Sequence, residues 1–142
     1  MIHLEFNSES ENEGIARVVA AAYMVKFDPT VEEMADVKTA VSEAVTNSIV
    51  HAYDHKEGKV IFEISHEENQ LCIVVEDFGI GIADVSKAME PMYTTKPEEE
   101  RTGMGFSFME AFMDKVTVES KPGKGTKVTM VKEIGEKEAL NG

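Results

Sequence analysis

Glu43 and Asn47 stand four residues apart in a segment of helical apolar periodicity, so their side chains project in the same direction. An asparagine offers an amide oxygen that suits Mg²⁺, a hard ion that prefers oxygen ligands and keeps several waters. A glutamate one turn earlier can orient a water or accept a hydroxyl proton. Asp77 closes an apolar run and is followed by Phe78-Gly79-Ile80-Gly81-Ile82. A carboxylate there can accept a hydrogen bond from an exocyclic amine such as that of adenine, and Gly79 and Gly81 let the backbone come close to a flat ligand. Arg101 lies two residues before Gly103-Met104-Gly105, where a helix is expected to begin. Free N–H groups at a helix start bind phosphate, and the planar fork of Arg101 suits a terminal phosphate. Thr126 follows the turn Gly123-Lys124-Gly125 and can place a hydroxyl beside the base or a neighbouring water. Singly, each patch also fits an ordinary element: a solvated helix face, a strand-ending turn, a tight loop, a β-favouring threonine. Together they suit different pieces of one ligand, an adenine nucleotide with Mg²⁺, bound without a Walker A loop.

The elements that must position these residues follow from periodicity. His3 to Phe6 reads as a strand. Ser8 and Ser10, each with a glutamate three residues on, both offer a capping box before a helix whose apolar stripe is Ile15, Val18, Val19 and Ala22. That helix should end near Phe27-Asp28-Pro29. Thr30 with Glu33 opens a second helix, with a stripe at Met34, Val37, Val41, Ala44, Val45 and Ser48, running to about Tyr53. Val60, Phe62 and Ile64 alternate with Ile61, Glu63 and Ser65 as a strand, and His66 to Gln70 forms a hairpin. Leu71 to Glu76 is a second strand, central and covered on both sides. A short helix is expected over Asp84 to Glu90, and Pro91 to Thr102 is a lid-like loop. Met104 to Met113 is a helix, and strands at Val116–Val118 and Val128–Met130 flank the Pro122 to Gly125 turn. The tail from Gly135 should fray. The order β-α-α-β-β-(lid)-α-β-β implies an α/β (α+β) two-layer sandwich, a mixed sheet with helices on one face. Residues 1–142 form a single domain.

Composition sets limits. The 142 residues fit one core; 42% are apolar and 29% charged. No stretch approaches the roughly 20 apolar residues of a membrane span, and the N-terminus has no signal-peptide pattern, so a cytoplasmic protein is expected. The single Cys72 cannot form an internal disulfide and reads as a buried thiol in a reducing compartment. The net charge of −13 argues against direct nucleic-acid binding, which needs a basic face; it accommodates a basic protein partner and equally fits a charge that serves only solubility.

The patches together resemble the GHKL superfamily with its Bergerat ATP-binding fold. Glu43 to Asn47 matches the N box, Asp77 to Gly81 the G1 box, and Arg101 to Gly105 the lid and G2 region. Ser42-Glu43-Ala44-Val45-Thr46-Asn47 continuing to His51-Ala52-Tyr53, then Pro91-Met92-Tyr93-Thr94-Thr95-Lys96-Pro97 and Arg101 to Phe106, narrows the resemblance to the anti-sigma-F family of spore-forming bacilli. One departure is Ala52, where many relatives have glycine. The resemblance implies a homodimeric serine kinase that binds a sigma factor (sigma-F), and uses ATP and Mg²⁺ to phosphorylate an anti-anti-sigma protein of the STAS type. It gives Asn47 to Mg²⁺ and Glu43 to proton abstraction. It gives Asp77 to the adenine amine, Gly79, Gly81, Gly103 and Gly105 to the nucleotide border, and Arg101 to the γ-phosphate. Arg17, on the first helix, matches a sigma-contacting position.

Three alternatives stand beside this. A histidine-kinase catalytic domain would be expected to follow a helical segment carrying the phosphoacceptor histidine. A gyrase- or mismatch-repair-type ATPase would need transducer domains. A binding module with a dead site would not need both Glu43 and Asn47.

Overall fold

Period-two alternation puts Val60, Phe62 and Ile64 on one side of a strand and Ile61, Glu63 and Ser65 on the other; the first set is buried and the second half-buried. The computed structural model describes residues 1–54, 56–82, 84–89 and 105–135. In chain order its elements are β1 (Ile2–Asn7), α1 (Glu11–Met24) with a 3₁₀ turn at Val25–Phe27, and α2 (Val31–Asn47), which widens into a π-helical segment at Ser48–Ala52. Then come β2 (Lys59–Glu67), β3 (Gln70–Asp77), α3 (Val85–Ala88), α4 (Gly105–Phe112), β4 (Lys115–Lys121) and β5 (Gly125–Glu133). The expected lid, Pro91 to Thr102, and residues 136–142 of the tail lie outside the described residues, whereas Gly135 is held through its N–H by Glu33.

The strands form one sheet in the order β1-β2-β3-β5-β4. Helices α1 and α2 pack together, α4 packs on α2, and the core lies between this layer and one sheet face. Val37, Val41 and Val45 meet Phe62, Ile64, Leu71, Ile73, Met109 and Met130 there, all fully buried. This is the expected two-layer sandwich, with two corrections. Every neighbouring strand pair is antiparallel, so the sheet is not mixed. Two helices separate β1 from β2, and the extra reversal makes that pair antiparallel. One long connection through α4 makes β4 run the same way as β3, but β5 is inserted between them. Second, β3 is central but covered on one face only: Cys72, Val74 and Glu76 are half-buried on the other. Cys72 is therefore not the fully buried thiol expected, although partial burial still pushes its pKa up.

The first helix also differs from expectation. Its buried face is Ala16, Ala20 and Met24, while Ile15 and Val18 are 55% and 65% exposed. Small residues at i and i+4 let α1 approach closely, leaving the larger apolar side chains on the outer face. Neither serine forms the expected capping box: Ser10 makes no side-chain cap bond, and the Ser8 hydroxyl donates to Lys56 O and accepts from Gly58 N–H. The second helix begins as expected. Thr30 Oγ1 accepts from Glu33 N–H, and the Glu33 carboxylate accepts from Thr30 N–H.

Candidate functional site

Helix α2 carries Glu43 and Asn47 one turn apart, both half-buried. The helix then widens at Ser48–Ala52, and such π segments often re-aim side chains at functional sites. The first residue of that segment makes the link the site depends on. Ser48 Oγ donates to Asp77 Oδ2 at 2.9 Å, fastening the end of the Glu43/Asn47 helix to the end of β3.

Asp77 is only 4% exposed. Its Oδ1 accepts from Gly79 N–H at 3.1 Å and from Thr126 N–H at 3.2 Å. The β3–β5 register places Thr126 directly opposite. Burial pushes the Asp77 carboxyl up from its usual range, an effect opposed by these three donors and reinforced by Glu76. The Thr126 hydroxyl sits 2.8 Å from Ser120 Oγ. Ser120 also gives its proton to Gly125 O and accepts from Ile82 N–H, so a serine on β4 organises the far wall.

Gly79 and Gly81 are also required by the packing of the loop itself. A Cβ on Gly79 would lie 2.3 Å from Ala52 O, and one on Gly81 2.0 Å from Lys121 O. Their lack of a side chain thus serves the chain's own backbone, and Gly81 also takes φ +76°. The turn is further held by Ile80 N–H to Ala52 O at 3.0 Å and Gly123 N–H to Ile80 O at 2.7 Å. Gly105 opens α4, as the sequence suggested. Arg101 and Gly103 lie outside the described residues. Arg17 stands apart from this assembly on α1, ion-paired with Glu13 at 3.4 Å.

Both polar atoms of the Asn47 amide are buried and, among the described residues, without a hydrogen-bond partner. Buried amides are ordinarily satisfied, so this pair of orphaned atoms fits a ligand-facing role. The amide oxygen is the type of ligand Mg²⁺ takes. Among the described residues no group of three His, Cys, Asp or Glu could hold a metal.

Sequence reasoning missed Ser48, Ser120 and Tyr53. Ser48 lay within an apolar stripe and was counted as part of it. Ser120 acts through contacts across the sheet that no local motif announces, and Tyr53 lies within the His51-Ala52-Tyr53 motif, but its bonds to Phe78 N–H and Lys59 O do not follow from the motif.

Residues 6–132 match the family model described as "Histidine kinase-like ATPase domain". The chain is 56% identical over 135 residues to the anti-sigma F factor of Caldanaerobacter subterraneus subsp. tengcongensis, covering 95% of this chain and 94% of that one. It is 56% identical over 129 residues to the anti-sigma F factor of Clostridium kluyveri, covering 91% of each. Among solved structures, the histidine kinase domain of a blue-light activated histidine kinase from Erythrobacter litoralis aligns with TM-score 0.59 and 23% identity, over 78% of this chain and 49% of that one. The RsbU and RsbW domains of a Mycobacterium tuberculosis protein align with TM-score 0.64 and 15% identity, over 94% of this chain and 33% of that one. The chain thus spans about half, and about a third, of those two solved chains, and both likenesses concern the fold.

Proposed function

The chain belongs to the histidine kinase-like ATPase domain family and, within it, to the anti-sigma F factors, and from that premise we propose that it is a serine kinase that also sequesters a sigma factor. It binds sigma-F, and it transfers the γ-phosphate of ATP to a serine of a STAS-domain anti-anti-sigma protein. The observation that carries the nucleotide chemistry is the Ser48–Asp77 hydrogen bond, because it ties the helix bearing Glu43 and the orphaned Asn47 amide to the strand end bearing the buried carboxylate.

Asp77 accepts from the adenine amine, with Thr126 beside it. Gly79 and Gly81 hold the loop that borders the base. Asn47 holds Mg²⁺ by its amide oxygen, and Gly103, Gly105 and Arg101 attend the phosphates. Bound Mg²⁺ neutralises phosphate charge and fixes the nucleotide's conformation. Glu43, one turn before Asn47, accepts the proton of the attacking serine hydroxyl. Self-association is assigned to the outer face of α1, where Ile15, Val18 and Val25 form an exposed apolar stripe. Val18→Glu should convert a dimer to a monomer in sedimentation equilibrium.

The deciding experiment mixes the protein, labelled ATP, Mg²⁺ and a STAS-domain antagonist. Phosphoserine on the antagonist is expected. Glu43→Gln should bind ATP nearly as well as the parent and transfer phosphate about 10²–10⁴-fold more slowly, as for a lost general base. Asn47→Ala should lose the Mg²⁺-dependent part of nucleotide affinity. Acid-labile phosphate on a histidine of this chain would favour the histidine-kinase alternative.

A further inference from the structure

The β2–β3 ladder pairs Val60 with Asp77, so its next rung would join Lys59 to Phe78. A side chain stands in that place. Tyr53, which ends the π segment of α2, accepts from Phe78 N–H at 2.7 Å and donates to Lys59 O at 2.6 Å. Its hydroxyl bridges the two groups that a direct rung would have joined. The ring lies where a Cβ on Gly58 would come, 2.3 Å from Tyr53 Cε1, so residue 58 leaves the phenol its room. Burial pushes the Tyr53 pKa up, which keeps the hydroxyl protonated and able to donate.

Two consecutive residues of the helix-bearing segment therefore hold alternate amides of the loop after Asp77. Tyr53 takes Phe78 N–H, and Ala52 O takes Ile80 N–H. These two bonds fix the start of the loop Phe78–Gly81 where it leaves the sheet beside the buried carboxylate. We propose that Tyr53 is a positioning residue for the base-binding loop, its phenol replacing a sheet rung so that the loop beyond Asp77 is held where it borders the adenine ring. This rests on the reading that Asp77 receives the base.

The Tyr53 hydroxyl bonds Phe78 N–H and Lys59 O, on the base side of the proposed site, so its effect should separate binding from chemistry. Tyr53→Phe keeps the ring and removes only the bridging oxygen, leaving Phe78 N–H and Lys59 C=O without the partner that joined them. The expected results are about tenfold weaker binding of both ATP and ADP, a raised KM for ATP, and kcat within about twofold of the parent at saturating ATP. The Phe78 amide should exchange with solvent faster than in the parent, while core amides on β3 such as Ile73 keep their protection. Parent-like ATP and ADP affinities, or an unchanged Phe78 exchange rate, would overturn the proposal. So would a fall in kcat equal to the fall in kcat/KM. Asp77→Asn run in parallel keeps the premises apart. If Asp77→Asn binds nucleotide normally, the base-pocket reading fails; if it loses affinity and Tyr53→Phe does not, the fault lies with Tyr53.

Discussion

Asp77 is a carboxylate enclosed by one hydroxyl and two amide donors, and burial still leaves its pKa raised above the free value. The sign of the linkage follows. A folded-state pKa above the unfolded one means that the folded chain holds a proton more readily. The associated stability is fully present below the unfolded value of 3.8 and is lost as pH rises through the folded value. At neutral pH the ionised group therefore opposes folding. Asparagine has nearly the same shape. Its oxygen would keep the Gly79 and Thr126 donors, and its NH₂ would donate to Ser48 Oγ once that hydroxyl turns. Without nucleotide, Asp77→Asn is expected to melt at or above the parent at pH 7, the difference closing as pH falls into the range where Asp77 takes up a proton. ATP and ADP should each bind roughly tenfold or more weakly, since a hydrogen bond to a charged acceptor is lost. Melts across pH and a calorimetric titration check both halves. A variant that melts far below the parent would make Asp77 a structural residue. The chemistry-bearing residue types were legible in the sequence because Asn, Asp and Gly at those spacings have few other joint uses. Ser48 was not, because a serine in an apolar stripe looks like a tolerated small residue until the partner strand is in place.

At the scale of elements, α2 must hold its two ends at once: its C-terminal turn reaches the site, and its first turn is fixed by the Thr30–Glu33 capping box. Glu33 also accepts from Gly135 N–H with both oxygens, so the box ties down the chain where it leaves β5. Thr30→Ala removes one acceptor from a helix start and should cost about 1 kcal/mol. For a domain of this size that is roughly a 4 °C fall in Tm. ATP affinity should not change, because the lost bond lies at the opposite end of the helix from Asn47. A melt that matches the parent would mean water replaces the threonine oxygen without loss. This capping box, the α2 stripe and the β2 alternation were readable because each is fixed within a few residues. The buried face of α1 was not. Ranking positions by hydrophobicity favours Ile15 and Val18, whereas helix-to-helix distance favours Ala16 and Ala20. The strand directions were also hidden, since they depend on how many helices intervene and on β5 inserting between β3 and β4.

Across the whole molecule, a net charge of −13 gives the protein a long-range attraction for any basic partner. A sigma factor must itself present basic surface to promoter DNA, so association should be fast at low salt and slow as salt rises. Arg17 is proposed to act at shorter range. In the free chain it pairs with Glu13 one turn back, and its side chain is 43% exposed, so the pair contributes little to folding. Docking would exchange that intramolecular carboxylate for one on sigma, in a drier setting where loss of one partner typically costs about 2–5 kcal/mol. Helix α1 supplies no residue to the nucleotide patches, so the two activities should separate. Arg17→Ala is expected to weaken sigma binding by at least tenfold, mainly through faster dissociation. It should keep the salt dependence of the association rate, because the bulk charge barely changes, and keep the parent's ATP affinity. Surface plasmon resonance at several salt concentrations, with an ATP titration alongside, resolves these effects. Retention of sigma by Arg17→Ala as firmly as by the parent would move the contact to another face, and a parallel loss of ATP affinity would mean that α1 and the nucleotide site are not independent.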